Sequence, residues 1–333
     1  MSGSFLNIGF AQAPLTLIAS AGLFTIMAAP PAFINGTGGG TTFAPNAPAG
    51  FSTLVDRQWD TTDGTIPGGV LPPASLSGTD SFHMTWFGGS PAVAPLIATP
   101  ASLSTIIGKT VPPLPDAHAT CMAVKYPSGF NAANTPFGLF FSGPGLPKAK
   151  MYIACWVNMP SNFTSTGNNI KWVNFQNDIG NGTGGTANHI AMLNSQNNAT
   201  DGRAAGMVTQ GGGGSNQYGV EGSNAAGAIT ALAIPPPQGT GPGWWPSNYD
   251  GWHCLEWLIQ TESTPGVTSD GVFKSWFDGF LINEWDNIKY NQASGGSNAF
   301  NQFMFIPYYG GGGSAAPADE YICLGRMLCT VSN

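Results

Sequence analysis

The sequence predicts an all-β protein built as an antiparallel β-sandwich, and three observations support that prediction. About a dozen short segments alternate apolar or aromatic residues with polar ones, which is the period of a half-buried strand. The chain contains 47 Gly and 27 Pro, and many of them separate these segments as turns and loops. None of the longer segments shows the 3.6-residue stripe of an amphipathic helix. We therefore expect sheets joined by loops rather than a parallel sheet with crossover helices.

The predicted strands begin near residue 82 and continue to the end of the chain. They cover residues 82–87, 120–126, 137–142, 150–159, 170–177, 189–193, 204–210, 253–260, 272–279, 280–286, 300–309 and 321–331. One short helix or turn is predicted over 97–108, with the sequence IATPASLSTIIG. Residues 1–50 are interpreted as an extended apolar arm rich in Gly and Pro, and 51–333 as a single domain with long Gly-rich loops.

Charge is sparse, and this excludes several classes of partner. Charged residues make up 8% of the chain, against roughly 25% in an average soluble domain. With 10 Lys and Arg, a net charge of −7 and no basic run, nucleic acid is not expected as a partner. No apolar stretch reaches the length of a membrane span. A surface of Ser, Thr, Asn and Gly repels its neighbours weakly, which suits a packed assembly or an extracellular location.

The N-terminal segment is apolar, but it has no basic residue before Arg57. A secretory signal needs a positively charged start, so no signal peptide is expected. The segment is interpreted as an arm that packs on its own domain or grips a neighbour, either a second copy or a capsid or surface-layer protein. The location that follows is a virion or an extracellular surface assembly.

The five cysteines include no CxxC pair, and the four histidines are too few to complete a zinc site convincingly. Cys155 and Cys254 lie within apolar strand patterns and are predicted to be buried thiols. Cys323 and Cys329 lie towards the two ends of the last predicted strand. They could pair with each other or with another subunit, and the pairing of Cys121 stays open.

Residues 251–290 predict two adjacent strands of a curved sheet. The dipeptides Asp270–Gly271 and Asp278–Gly279 supply the positive φ angles that tight hairpins need. Aromatic residues in the second half supply either core or a surface on which sugar rings stack, and they are Trp276, Phe277, Phe280 and Trp285.

This hairpin resembles the pattern E-x-x-x-x-x-N-T-P-G-x-x-D-G-x-x-x-x-W-x-D-G of polysaccharide lyases that have the concanavalin-A-like jelly roll. Glu256 stands at its first position and Trp276 at its tryptophan. Upstream, MYIACWVNMPSNF (151–163) and NNIKWVNF (168–175) look like two further strands of that group, and 303–331 looks like its closing pair. The resemblance covers roughly 120–331 and implies the jelly-roll fold. Ser263 replaces the pattern's Asn, and Phe280 and Leu281 replace basic residues.

For a lyase of the alginate or glucuronan type, the resemblance implies a Tyr or His base and cationic or amide groups that neutralise the substrate carboxylate. The residues it nominates are Lys171, Gln176, His189, His253, Lys274, Tyr290 and Arg326. Strand alternation places Lys171 and Gln176 on opposite faces. Each nominee also has a purely structural interpretation. The lysines could be solvated at strand edges, His189 could be a surface residue, and His253 could be a packed aromatic ring. Ten basic residues are few for a groove that binds a polyanion.

Four tryptophans are candidates for glycan binding, with buried packing as the alternative: Trp244, Trp245, Trp252 and Trp285. The E-x-D-x-E triplet typical of jelly-roll glucanases is absent from the sequence. Residues 176–182, QNDIGNG, offer oxygen ligands for calcium, but their spacing is equally that of a plain turn. No cofactor is therefore expected.

Two classes of function follow from these observations. The first is a non-enzymatic structural protein of a particle or surface assembly, of the phage capsid-decoration or head-spike type, with or without a glycan-binding surface. The alternative is a polysaccharide lyase that cleaves a uronate-containing polymer by β-elimination. A lectin-like carbohydrate-binding protein lies between them.

Overall fold

In this computed structural model the chain divides into two compact units, Met1–Thr37 and Gly38–Asn333. The first contains an antiparallel pair, β1 (Ala19–Ser20) and β2 (Leu23–Phe24). The structure describes residues 19–20, 23–24, 42–59, 82–86, 95–116, 118–130, 137–141, 145–146, 148–158, 160, 169–177, 188–189, 192–196, 203–209, 217–218, 251–264, 267–268, 270–288, 299–300, 302–310 and 318–333.

The second unit contains the remaining strands and one helix. In chain order they are β3 (Ser52–Arg57), β4 (Phe82–Trp86), β5 (Leu96–Ala98), α1 (Pro100–Ile107), β6 (Cys121–Tyr126), β7 (Phe137–Phe141), β8 (Lys150–Asn158), β9 (Asn169–Asn177), β10 (Asn188–His189), β11 (Met192–Gln196), β12 (Arg203–Thr209), β13 (Gln217–Tyr218), β14 (His253–Gln260), β15 (Gly271–Phe277), β16 (Phe280–Ile288), β17 (Gln302–Gly310) and β18 (Glu320–Val331).

These strands form two sheets, and every pairing among the described residues is antiparallel. The first sheet has the order β16-β15-β14-β8-β18-β6-β5, with β3 also paired to β18. The second has the order β13-β12-β11-β9-β17-β7-β4, with β10 also paired to β9. The predicted class, an all-β jelly-roll sandwich of the concanavalin-A type, is therefore confirmed.

The core is centred on β8, in which every residue from Met151 to Asn158 is fully buried. One face of this strand, represented by Trp156, packs against Leu103 of α1 and against the half-buried Phe43. The helix and the segment around Phe43 thus cover the outer face of the first sheet. The alternate residues, such as Ile153, are equally buried, so their face turns towards the interior of the sandwich.

Helix α1 is bounded by capping residues, Thr99 at its start and Gly108 at its end. The side chain of Thr99 accepts a hydrogen bond from the Ser102 N–H at 3.2 Å, and Pro100 starts the helix, where its missing N–H costs nothing. Gly108 ends it with a φ of 69°, and its N–H donates to the Ser104 carbonyl. The helix predicted within 97–108 is confirmed, although residues 96–98 form strand β5.

The turn between β15 and β16 has the geometry that its sequence predicts. Asp278 has a φ of 50° and Gly279 a φ of 81°. Two successive positive φ angles define the two-residue turn that matches the twist of a hairpin, and Asp-Gly is among the dipeptides that adopt it most readily.

Strand β18 changes partner half-way along its length. Its first part pairs with β6 and its second part with β3, and the register shifts between Leu324 and Met327. Gly325 lies at the shift and accepts a hydrogen bond from the indole N–H of the fully buried Trp59. A Cβ atom at Gly325 would lie 2.8 Å from atoms of Leu114 and Trp156, so the backbone approach requires glycine.

All five cysteines are buried and free. The buried thiols predicted at Cys155 and Cys254 are confirmed, whereas the suggested pair of Cys323 and Cys329 is not formed. Both lie within one extended strand, six residues or about 20 Å apart, beyond the reach of a disulfide.

Candidate functional site

Register places Lys171 and Gln176 on opposite faces of the second sheet, as strand alternation predicts. Val173 of β9 pairs with Phe305 of β17, and Phe305 is fully buried. Residues that pair directly in an antiparallel sheet share a face, and successive residues alternate. Lys171, two positions from Val173, therefore belongs to the face of Phe305. Gln176 belongs to the other face.

The face opposite Phe305 brings a row of polar residues together. Gln302 of β17 pairs with Gln176 of β9, and Gln176 pairs with His189 of β10. Asn174 is two positions from Gln176 and shares its face. We call these four residues the amide face. Its row of three strands spans about 10 Å, and amide and imidazole groups can both donate and accept hydrogen bonds without a full charge.

The basic residues in the described strands of the second sheet are Lys171 and Arg203. Arg203 pairs with Gln196, and Gln196 pairs with Asn169. Asn169 lies two positions from Lys171, so both basic residues fall on the face opposite the amide face. Within the strand residues described for this sheet, the amide face therefore carries no lysine or arginine.

His253 and Asp278 form a hydrogen-bonded pair at one end of β14. The His253 Nδ1 atom lies 2.7 Å from Oδ2 of Asp278, and Oδ1 of Asp278 accepts the Cys254 N–H at 2.8 Å. The two side chains are 15% and 9% exposed. A carboxylate at Nδ1 orients an imidazole as in a positioned general base. Here the same carboxylate also fastens the turn at residues 278–279 to β14.

Lys274 forms a cross-strand ion pair with Glu284, its register partner on β16. The two side chains are 31% and 42% exposed, so water screens the pair, and such pairs contribute less than about 1 kcal/mol. Lys274 is therefore a solvent-exposed residue of the sheet, which is the structural interpretation that the sequence analysis offered for it.

Arg326 of β18 contacts Asp56 of β3 and the ring of Phe43. Its Nε and Nη2 atoms donate to the two carboxylate oxygens of Asp56 at 2.7 and 2.6 Å. Its guanidinium carbon lies 4.7 Å from the centroid of the Phe43 ring. The hydrogen bonds that Arg326 donates to Asp56 raise the pKa of Arg326 above its usual value. Both partners hold this arginine in a structural role.

Of the four candidate tryptophans, Trp252 is 3% exposed and its indole N–H donates to the Pro112 carbonyl at 2.8 Å. It is therefore a packing residue of the core rather than a platform for sugar stacking. Trp285 lies on β16 opposite Phe273. Residues 244, 245 and 290 lie outside the described residues, so the predictions for Trp244, Trp245 and Tyr290 remain predictions.

The structure does not bring the described lyase nominees into one groove. Lys171, Gln176 and His189 lie on the second sheet, whereas the other described nominees lie on the first. Within the first sheet, Lys274 pairs with Leu258. Leu258 is five residues along β14 from His253, which corresponds to about 17 Å.

A buried carboxylate that the sequence analysis placed in the hairpin pattern but not among the site residues lies on the outer face of the first sheet. Glu256 is fully buried, and its Oε2 atom accepts the Asn46 N–H at 2.9 Å and the Tyr152 hydroxyl. Its Oε1 atom accepts the Asn46 side-chain amide at 3.0 Å. Burial and then the Glu256 charge raise the pKa of Tyr152 well above its usual value. The signal in the sequence was a Glu inside an otherwise apolar strand, HCLEWLIQ.

Among the described residues there is no group of three or more His, Cys, Asp or Glu side chains placed to hold a metal ion. Most of the segment considered for calcium, 178–182, lies outside them. The same part of the chain includes no helix long and apolar enough to span a membrane.

No protein-family model matches this chain. No curated protein sequence matches it either. Solved structures that are similar to it in fold include the following three. An endo-β-1,4-glucuronan lyase from the fungus Trichoderma reesei is 13% identical, with 75% of this chain and 94% of that chain covered and a TM-score of 0.43. An alginate lyase from Chlorella virus is 12% identical, with 65% of this chain and 86% of that chain covered and a TM-score of 0.43. A carbohydrate esterase from the Shiga toxin-encoding bacteriophage phi24B is 10% identical, with 85% of this chain and 100% of that chain covered and a TM-score of 0.40.

Proposed function

We propose that this protein is a non-enzymatic component of a particle or surface assembly that binds a glycan on the amide face of its second sheet. The observation that carries the proposal is the row of four polar residues on that face, where the register also places Trp172 and Met304. Side-chain amides and an imidazole are suited to hydroxyl groups, and the lysine and arginine of the described strands fall on the opposite face. A polyuronate would need positive charge at its carboxylates, so a glycan with few carboxylates is the better ligand.

The structural role is supported by the organisation of the chain. Residues 1–37 form a compact unit of their own, and the jelly roll follows as a second unit. A separate apolar N-terminal unit is suited to gripping a second copy or a capsid or surface-layer protein. The low charge of the chain, 8%, is compatible with close packing of many copies.

The binding experiment compares variants of one residue type. Gln176→Ala and Gln302→Ala remove amides from the amide face, and each should weaken binding in a neutral-glycan panel about tenfold. Gln260→Ala changes a half-buried glutamine on β14 of the other sheet, so its affinity should equal that of the native chain. Equal affinity of all three variants would reject the amide face as the binding site.

The assembly experiment is electron microscopy of the intact material that contains the protein. Symmetric copies that contact neighbours through residues 1–50 would support the structural role. A free monomer that binds glycan would instead indicate a lectin.

A lyase is the second candidate, because Gln176 and His189 are register neighbours on the amide face. An imidazole beside an amide has two of the parts that β-elimination requires, a base for the C5 proton and a hydrogen-bond donor for the carboxylate. The test is the ultraviolet absorbance of the unsaturated product after incubation with alginate and glucuronan. Absorbance that rises with the native chain and is lost in His189→Ala would establish the lyase.

A further inference from the structure

Register extends the amide face across two further strands of the second sheet. Met304 of β17 pairs with Asn174 of β9 on one side and with Phe140 of β7 on the other, and Phe140 pairs with His83 of β4. Residues that pair directly share a face, so these four positions form one line across four strands, about 14 Å long. We call this line the Phe140 row. It begins at β4, which is the last strand in the order of this sheet.

A second line of positions runs beside the first. Gln302, Gln176 and His189 are register partners across β17, β9 and β10, and we call them the Gln176 row. Gln302 and Gln176 each lie two positions along their strands from a member of the Phe140 row, so the two rows are parallel and about 7 Å apart. Every residue type in the Gln176 row can donate and accept hydrogen bonds, whereas the Phe140 row has two neighbouring apolar positions, Phe140 and Met304. An apolar strip therefore adjoins an amide strip, and both cross the strands.

This arrangement is suited to sugar rings. A pyranose has an apolar face made of C–H groups and a rim of hydroxyl groups. Aromatic and methionine side chains favour the apolar face, and amides both donate to hydroxyls and accept from them. Within the strand residues described for this sheet, the face carries no lysine or arginine to neutralise a carboxylate, so the sugar expected here is neutral. Two straight rows favour a glycan that is itself straight, which is the shape of an equatorially linked chain.

We propose that the amide face binds a straight, neutral glycan that runs across the strands, with its rings along the Phe140 row and its hydroxyls towards the Gln176 row. Such a ligand rests on the proposed glycan-binding function and defines its glycan class. The two rows together extend from His83 on β4 to His189 on β10, across five strands or about 19 Å, a length that roughly a tetrasaccharide covers. A disaccharide over β17 and β9 reaches neither end. His83 should therefore contribute only to the binding of the longer chains.

The test is isothermal titration calorimetry of the full chain with two straight series, cello-oligosaccharides and β-linked manno-oligosaccharides, each as the disaccharide and the tetrasaccharide. Maltotetraose, which is curved, is the comparison. In at least one straight series the tetrasaccharide should bind about tenfold more tightly than the disaccharide and than maltotetraose. His83→Ala should lose most of that gain and leave the affinity for the disaccharide unchanged. His118→Ala is the matched control, because this histidine lies between α1 and β6, outside the second sheet, and it should bind every sugar as the native chain does.

Two further variants separate the ends of the site from its middle. Gln302→Ala changes a position where the two rows meet on β17, and it should weaken the binding of disaccharide and tetrasaccharide alike. His83→Gln keeps a hydrogen-bonding group on β4 and should retain most of the gain with chain length. The dependence on chain length and on curvature is measured on the native chain, so the test holds even if His83→Ala does not fold.

The outcomes distinguish this ligand from the function on which it rests. The straight glycan is overturned if affinity does not rise with chain length, if maltotetraose binds as tightly as the straight tetrasaccharides, or if His83→Ala binds the tetrasaccharide as the native chain does. It is also overturned if neither straight series binds while Gln176→Ala still weakens the binding of another neutral glycan. In each of these cases the amide face remains a glycan site. The proposed function itself fails if no glycan binds, or if Gln176→Ala and Gln302→Ala both bind as the native chain does.

Discussion

The carboxylate of Asp278 lies 2.7 Å from the Nδ1 atom of His253 and connects a hairpin turn to the strand beside it. The contact also involves the backbone, because Asp278 accepts the Cys254 N–H and donates its own N–H to the Cys254 carbonyl at 2.8 Å. One side chain thereby fixes the turn between β15 and β16 to β14.

Asp278→Ala should destabilise the fold by about 2–4 kcal/mol. It removes two hydrogen bonds at a buried site and places alanine at a φ of 50°. Asp278→Asn should cost less, because asparagine tolerates this conformation and keeps one acceptor. Urea denaturation provides the measurement. The control is Asp286→Ala, an exposed position on β16 that should change stability by less than about 0.5 kcal/mol. Equal midpoints for the two alanine variants would contradict this role of Asp278.

Gly325→Ala should destabilise the fold by about 1–3 kcal/mol through overpacking. Its new methyl group would lie 2.8 Å from atoms of Leu114 and Trp156, both within the packed outer layer of the first sheet. Gly251→Ala is the matched control, because a Cβ atom there meets nothing within 4 Å. Thermal unfolding followed by circular dichroism compares the two. A melting temperature for Gly325→Ala as high as that of the control would show that β18 can shift to make room.

The buried thiols should make the protein sensitive to alkali. Burial raises the pKa of Cys121 to about 12, and it raises the pKa values of the other four thiols as well. Unfolded thiols lose their protons near pH 8.5, so above that pH the unfolded chain binds fewer protons than the folded one. Stability is therefore fully present below about pH 8.5 and falls by up to about 1.4 kcal/mol per pH unit for each thiol above it.

Denaturation midpoints measured between about pH 8 and about pH 10 test this expectation. In Cys121→Ala the midpoint should fall less steeply with pH, because one thiol no longer contributes. A thiol reagent should leave the native chain unmodified and should label all 5 cysteines after unfolding. Rapid labelling of the folded chain would contradict the burial.

Asp270 should titrate near pH 2. Hydrogen bonds from the Thr268 hydroxyl at 2.6 Å and from the Ser263 N–H at 2.9 Å lower its pKa to about 2. Stability linked to this group is present above its unfolded pKa of about 3.9 and is lost as the pH falls through its folded pKa. Carboxyl chemical shifts in an NMR titration give the value directly. Thr268→Val should move it back towards about 3.9, and no shift in that variant would exclude the hydroxyl as the cause.

The fold could be predicted largely from local patterns. Strand β14 was predicted at its observed bounds, His253–Gln260, because period-two alternation and adjoining turn residues are local signals. Strand β3 was missed, since its six residues alternate weakly and its pairing partners lie at least 270 positions away. Pro307 was included in a predicted strand, and it is accommodated because the register of β17 shifts between Phe305 and Tyr308.

The candidate site could be predicted only in part. Alternation alone separated Lys171 from Gln176, and the observed register agrees. It could not indicate that Gln302 and His189 flank Gln176, because both pairings depend on which strands become neighbours. The role of Glu256 was equally hidden, since its partner Asn46 is 210 positions away.

The sequence by itself determined the class of the fold, its tight Asp-Gly turn, its capped helix and its low charge, because each depends on neighbouring residues or on composition. The tertiary structure decided which residues meet. It placed the described lyase nominees on two different sheets, buried Trp252, left the cysteines unpaired and brought Asn46 onto Glu256. The physical reason is that strand order, register and side-chain burial arise from contacts between distant segments, and a local pattern does not encode these contacts.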